Sequence, residues 1–133
     1  MAKLLSYYQG NDNRKVTGGY RARPYKVKRK ALGGGPPVMT ALAKDNEYRV
    51  KERVTGGNVK VRLYKAVYAN VYDKSTGTSK KVKIIRVLET PSNPELAKRG
   101  IIVKGAIIET ELGRAVVTSR PSQDGIVNAV KLS

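Results

Sequence analysis

The densest run of side chains able to do chemistry lies between Tyr20 and Lys30, reading Tyr-Arg-Ala-Arg-Pro-Tyr-Lys-Val-Lys-Arg-Lys. Six of those eleven residues are basic and two are tyrosines. Arg21, Arg23, Lys26, Lys28, Arg29 and Lys30 can neutralise phosphates and release their counterions, and arginine adds forked hydrogen bonds to phosphate oxygens. Tyr20 and Tyr25 offer flat faces on which exposed bases can stack. Pro24 disfavours helix and keeps the run extended. Arg14 and Lys15 extend the basic character upstream, and Gly18-Gly19 would allow backbone to approach a phosphate closely. The blander alternative is a solvated charge run or a localisation signal. Contact with nucleic acid is the stronger reading, because a strand in the folded part also carries a basic face, at Lys60 and Arg62.

Other candidates carry less. Gly33-Gly34-Gly35 runs into Pro36-Pro37, and Gly56-Gly57 runs into a strand. Neither has the Lys-Ser or Lys-Thr and the helix that a phosphate-binding P-loop requires, so both read as turns or joints. Glu109, Glu111 and Asp124 could be imagined as an acid/base pair or a metal site, but solvated acids near turns are ordinary. The chain has no Cys and no His, which removes disulfides, thiolate nucleophiles, the common zinc ligands and the easiest general base. Catalysis is not expected, nor is a metal or other cofactor. Thr118 to Gly125 reads as a polar turn with its bend at Asp124-Gly125, in which Arg120 could add a phosphate contact.

These residues sit on an uneven charge distribution. The 133-residue chain has a formal net charge of +17. Residues 1–35 carry +8, residues 36–90 carry +7 and residues 91–133 only +2. Self-repulsion on that scale disfavours a compact free state and points to a polyanionic partner. No stretch approaches the roughly 20 apolar residues of a membrane-spanning helix, and the start lacks a signal-peptide pattern. A soluble, intracellular protein is expected.

Residues 1–41 are broken by Asn11-Asp12-Asn13, Thr17-Gly18-Gly19 and the glycine-proline run, with sparse apolar residues between. Such a segment cannot bury enough surface to offset its ordering entropy. It is expected to be mobile alone and ordered on its target. Residues 46–133 hold 20 Val and Ile against 5 Leu, a composition that favours strands. Strands are predicted near Glu47–Val54, Asn58–Tyr64, Val67–Tyr72, Lys80–Leu88, Ile101–Glu109, Arg114–Ser119 and Ile126–Leu132.

In the second strand Val59, Val61 and Leu63 share one face while Lys60, Arg62 and Tyr64 share the other, a half-buried strand with a basic outer side. In Lys80–Leu88 the phase switches after Ile84, as a bulge or a strand covered on both sides would require. One short helix is predicted, capped by Asn93, with Pro94 at its first position, Lys98 and Arg99 near its end and Gly100 beyond it.

The sequence also resembles a known family, the archaeal and eukaryotic small-subunit ribosomal proteins designated eight-e. Four segments carry the likeness. They are Thr17-Gly18-Gly19 with the basic run to Lys30; Val54-Thr55-Gly56-Gly57-Asn58-Val59-Lys60-Val61-Arg62; Ala69-Asn70-Val71-Tyr72-Asp73 with Thr76-Gly77 and Lys80-Lys81; and Lys104 to Thr110, continuing through Thr118-Ser119-Arg120-Pro121 to Gln123-Asp124-Gly125 and Ala129. Departures from the pattern fall at Gly35, Ser122 and the Gly100–Val103 stretch. The short length and lack of large inserts look archaeal. The resemblance implies a β-barrel-like body seated on small-subunit ribosomal RNA, a basic amino-terminal extension reaching into that RNA, and no enzymatic activity or cofactor.

The sequence thus predicts an all-β fold. A small barrel-like domain of six or seven strands with one short helix occupies residues 42–133, preceded by a disordered basic extension at residues 1–41. The expected function is that of a structural constituent of the small ribosomal subunit in the cytoplasm, bound to ribosomal RNA beside neighbouring ribosomal proteins and monomeric when free. Arg14, Lys15, Tyr20, Arg21, Arg23, Tyr25, Lys26, Lys28, Arg29, Lys30, Lys60, Arg62 and Arg120 are the expected RNA-binding residues. A free-standing chromatin or RNA-maturation factor is the alternative.

Overall fold

The computed structural model describes residues 14–20 and 35–132. The chain divides into two units, one within residues 1–37 and one within residues 38–133. The expected mobility of residues 1–41 falls mostly outside the described residues. In the first unit, Arg14 to Tyr20 form a tight reversal: Arg14 and Tyr20 bridge in antiparallel fashion, and Lys15 N–H donates to the Gly19 carbonyl at 2.8 Å. Gly18 takes φ +87° at the bend, a conformation that glycine adopts without steric cost.

The second unit is built from strands: β1 (Ala41–Leu42), β2 (Tyr48–Arg53), β3 (Val59–Ala66), β4 (Tyr68–Asp73), β5 (Thr78–Glu89), β6 (Ile107–Thr110), β7 (Gly113–Val117) and β8 (Asn128–Lys131). Two short α-helices, α1 (Pro94–Lys98) and α2 (Pro121–Asp124), and a single 3-10 turn at Thr55–Gly57 interrupt them. β1, β3 and β2 form one sheet in that order, and β4 to β8 close into a barrel. The barrel follows chain order with antiparallel neighbours throughout, and β4 and β8 close it in parallel. With an odd number of alternating strands the first and last run the same way, so the closing pair has to be parallel. Closure removes the exposed sheet edges that would otherwise invite pairing with other chains.

The core follows the strand alternation. Ala69 and Val71 of β4, Val82 and Ile84 of β5, Ile108 of β6, Ala115 and Val117 of β7 and Ala129 of β8 are buried together. Leu63 and Ala66 of β3 belong to the same cluster, so the small sheet packs on the barrel rather than standing apart. Thr40 is buried and donates its hydroxyl to the Leu63 carbonyl at 2.7 Å, so the body takes in residues assigned to the extension on sequence grounds.

The phase change in β5 is a bulge: Ile84 pairs with Thr110 and Arg86 with Glu109, skipping Ile85. Ile85 is left exposed, and Val87 returns to pack against the core.

Several predicted elements shift. The strand expected over Ile101–Glu109 is shorter, because Ile101 makes only an isolated bridge to Ala41 and the chain turns at Lys104-Gly105 before β6. Val59 is exposed and Val61 only half-buried, so of the predicted inner face Leu63 alone is fully buried. The loop expected at Thr118–Gly125 contains a helical turn, α2, which makes two short α-helices among the described residues where one was predicted. Around α1 the local chemistry is as predicted: Asn93 Oδ1 accepts from Glu95 N–H at 3.0 Å, and Pro94 stands at the first helical position.

Candidate nucleic-acid interface

The basic residues occupy distinct settings. Arg14 and Tyr20 are held together by the reversal between them. The Arg14 guanidinium lies 4.3 Å from the Tyr20 ring centroid, donates to the Gly18 carbonyl at 3.0 Å and reaches the Tyr20 hydroxyl at 2.7 Å. The pair is a preformed cation–aromatic unit, with Tyr20 still 72% exposed and Lys15 exposed beside it. Arg21, Arg23, Tyr25, Lys26, Lys28, Arg29 and Lys30 lie outside the described residues.

In the body, Lys60 and Arg62 share a face of β3 as their spacing requires, but their surroundings differ. Lys60 is exposed and has no carboxylate partner among the described residues. Arg62 is half-buried: its Nε donates to Glu52 on β2 at 2.7 Å, and a terminal nitrogen donates to the Ser122 carbonyl at 3.3 Å. Tyr64 continues the same face, its ring centroid 5.8 Å from that of Tyr48. The face expected to be basic thus carries one paired cation, Arg62, and one open cation, Lys60.

Arg120 stands at the entry to α2, where its own backbone is fixed. Its N–H donates to Asp124 Oδ2 at 3.0 Å, and its carbonyl accepts from Gln123 and Asp124 N–H. The side chain is exposed. Asp124 is thus used in closing a turn. Glu109 is paired with Arg86, and Glu111 lies exposed at the β6–β7 turn. The three carboxylates form no joint site, and among the described residues no group of Asp or Glu side chains is arranged to hold a metal ion.

The outer face of β4 and β5 is a further surface, with no residue among the sequence-predicted contacts. Tyr68, Asn70 and Tyr72 alternate outward on β4, opposite Lys83, Lys81 and Ser79 of β5. The Lys81 ammonium lies 4.6 Å from the Tyr68 ring centroid, and Asn70 donates to Asn128 Oδ1 on β8 at 3.2 Å.

The carboxylates bordering this face are neutralised. Glu47 pairs with Arg49 at 2.7 Å; burial pushes its carboxyl upward, but hydrogen bonds from Arg49 and from the Tyr68 and Val67 N–H groups outweigh that and hold it below the usual range. Asp73 accepts from the Ser75 hydroxyl, from Lys131 and from the Ser75 N–H, which bring its pKa down to about 2. The signal was present in sequence as Tyr-x-Asn-x-Tyr followed by Lys-x-Lys. What was missing was the pairing that puts both on one face.

Comparison with known proteins places the chain in a family. The chain matches the family described as Ribosomal protein S8e over residues 8–132. It is 59% identical over 128 residues to the small ribosomal subunit protein eS8 of Sulfolobus acidocaldarius, covering 96% of this chain and 98% of that protein. It is 61% identical over 126 residues to the protein of the same name from Ignicoccus hospitalis, covering 95% and 96% of the two chains. To that of Saccharolobus solfataricus it is 56% identical over 128 residues, covering 96% and 95%. The family is one of structural ribosomal proteins and not of enzymes. On a match of this identity and extent, the chain belongs to the Ribosomal protein S8e family.

Proposed function

We propose that this protein is a structural constituent of the small ribosomal subunit and binds ribosomal RNA. The observation that carries the proposal is the end-to-end likeness to archaeal proteins of that name. The net charge of +17 supports it, since the excess is tolerable where a polyanion is the permanent neighbour.

The basic amino-terminal segment supplies electrostatic anchoring: Arg14, Lys15, Arg21, Arg23, Lys26, Lys28, Arg29 and Lys30 neutralise phosphates, while Tyr20 and Tyr25 stack on bases or pack on sugars. The folded body supplies a second contact surface. Lys60 and Arg120 offer open cations there, and Arg62 contributes as the residue that ties β3 to Glu52 and to the α2 loop. The protein works in the cytoplasm beside neighbouring ribosomal proteins, and is a monomer before assembly.

Sedimentation of extract from cells carrying a tagged copy tests this. The protein should travel with small subunits at about one copy each. A protein that stays in the light fractions would instead be a free nucleic-acid-binding factor, and the proposal would be wrong.

A further inference from the structure

We infer that the outer face of β4 with its neighbours on β5 and β8 is a binding site for unpaired RNA nucleotides, distinct from the basic amino-terminal segment. The inference rests on the RNA-binding reading above and names what this face takes.

Tyr68 and Tyr72, near the two ends of β4, are each 41% exposed on the outer side of the barrel. Three residues lie between them, so they stand four strand steps apart, about 13 Å, which leaves room for one base on each ring with something read between. What lies between is an amide pair. Asn70 and Asn128 face each other across β4 and β8, and the hydrogen bond from Asn70 Nδ2 to Asn128 Oδ1 orients both. That bond leaves the Asn70 oxygen and the Asn128 amide nitrogen without a protein partner among the described residues. An acceptor beside a donor is the pattern with which amide side chains read a base edge.

The flanking charge suits a backbone. Lys81 and Lys83 are exposed on β5 with no carboxylate partner among the described residues, while Glu47 and Asp73 at the margins are held by Arg49 and Lys131. The Lys81 ammonium lies against the Tyr68 ring. An arriving nucleotide offers the ring a base and the ammonium a phosphate, so both exchange partners together.

Paired RNA cannot use this face as fully. In a helix the base faces are buried in the stack, and the rings would meet only sugars and phosphates. Unpaired loop or bulge nucleotides present both face and edge. A protein neighbour would be expected to bring carboxylates to Lys81 and Lys83, but would leave the paired amides and two tyrosine faces without a specific role.

The test uses the full chain and two labelled RNAs, a stem-loop with an unpaired loop and the blunt duplex formed by its stem. Tyr68→Ala and Tyr72→Ala should each weaken stem-loop binding roughly five- to hundredfold, the range expected for a lost base stack, while duplex binding changes by less than about twofold. Tyr68→Phe and Tyr72→Phe should keep stem-loop binding. A crosslink from a photoreactive loop nucleotide to β4 in the unsubstituted protein provides a readout that needs no variant.

Equal losses on both RNAs, no loss on either, or crosslinks that miss β4 would overturn the inference while leaving RNA binding intact. An unsubstituted protein that bound neither RNA would overturn the RNA-binding reading as well.

Discussion

A Cβ built on Gly125 would stand 2.7 Å from Val61 Cγ1 and 3.1 Å from the Val61 carbonyl oxygen. Gly125 also takes φ +76° at the end of α2, and its carbonyl accepts from Arg49 Nε at 2.7 Å. The loop that presents Arg120 is therefore pressed against β3 at a residue that admits no side chain. Gly125→Ala should lose about 2–4 kcal/mol, combining left-handed backbone strain with overpacking against a strand. Chemical denaturation measures it. Adding Val61→Ala should recover part of the loss, because it relieves the side-chain contact and not the backbone conformation. A fully wild-type melt for the single variant would mean that the loop moves aside freely.

Lys60 and Arg62 are two residues apart on one strand face, yet they should respond differently. Arg62→Gln removes a charged hydrogen bond to Glu52 in a half-buried setting and should cost about 1–2 kcal/mol of stability. Lys60→Gln should leave stability within about 0.5 kcal/mol, and should reduce the salt slope of RNA binding by about 1 if Lys60 meets a phosphate. Parallel melts and salt titrations of the two variants separate the roles.

The Asp73 carboxyl, held at about 2 by Ser75 and Lys131, lies below its ordinary value. A depressed carboxylate pKa stabilises the fold above the unfolded value, and that contribution disappears as pH falls through the folded one. The link between the β4–β5 loop and Lys131 of β8 should therefore persist through mildly acid solution and loosen only near pH 2. A carboxyl-carbon NMR titration reads this directly. Ser75→Ala and Lys131→Met should each move the midpoint upward, Ser75→Ala by more, because the Ser75 hydroxyl is the largest cause of the shift.

Truncation should be sensitive to where it is made. Removing residues 1–37 should leave a folded body with much weaker RNA binding, because most of the proposed phosphate contacts go with it. Removing residues 1–41 should also destabilise the body by about 1–3 kcal/mol, since it takes away the buried Thr40 and its bond to Leu63. For the full chain, neutralising about eight phosphates predicts a log–log salt slope of roughly −6 to −7. A slope near zero would contradict the electrostatic anchoring.

Local chemistry is legible in the amino-acid sequence. Asn93-Pro94 marks α1 because capping and proline's fixed φ act within a few residues. The bulge in β5 shows as a change of phase after Ile84, since alternation is a property of one strand. Thr76-Gly77 marks the β4–β5 turn, where Gly77 takes φ +65°. The end of β5 and the start of β6 are harder to read: Ile101, Ile102 and Val103 form an apolar run like a strand, but the first two are buried by a turn packing onto the core rather than by a ladder.

The sequence by itself pointed to a polyanionic partner, through a net charge of +17, and determined the strand-rich body, through Val and Ile in alternation. Tertiary structure alone decided that β4 meets β8 and closes the barrel, that Arg62 turns to Glu52 while Lys60 stays open, and that Tyr68, Asn70 and Tyr72 share a surface with Lys81, Lys83 and Asn128. The reason is range. Alternation fixes which side chains of one strand share a face, but neighbouring strands and their register are set by long-range pairing and core packing. Asn70 and Asn128, 58 positions apart, become partners only when the barrel closes.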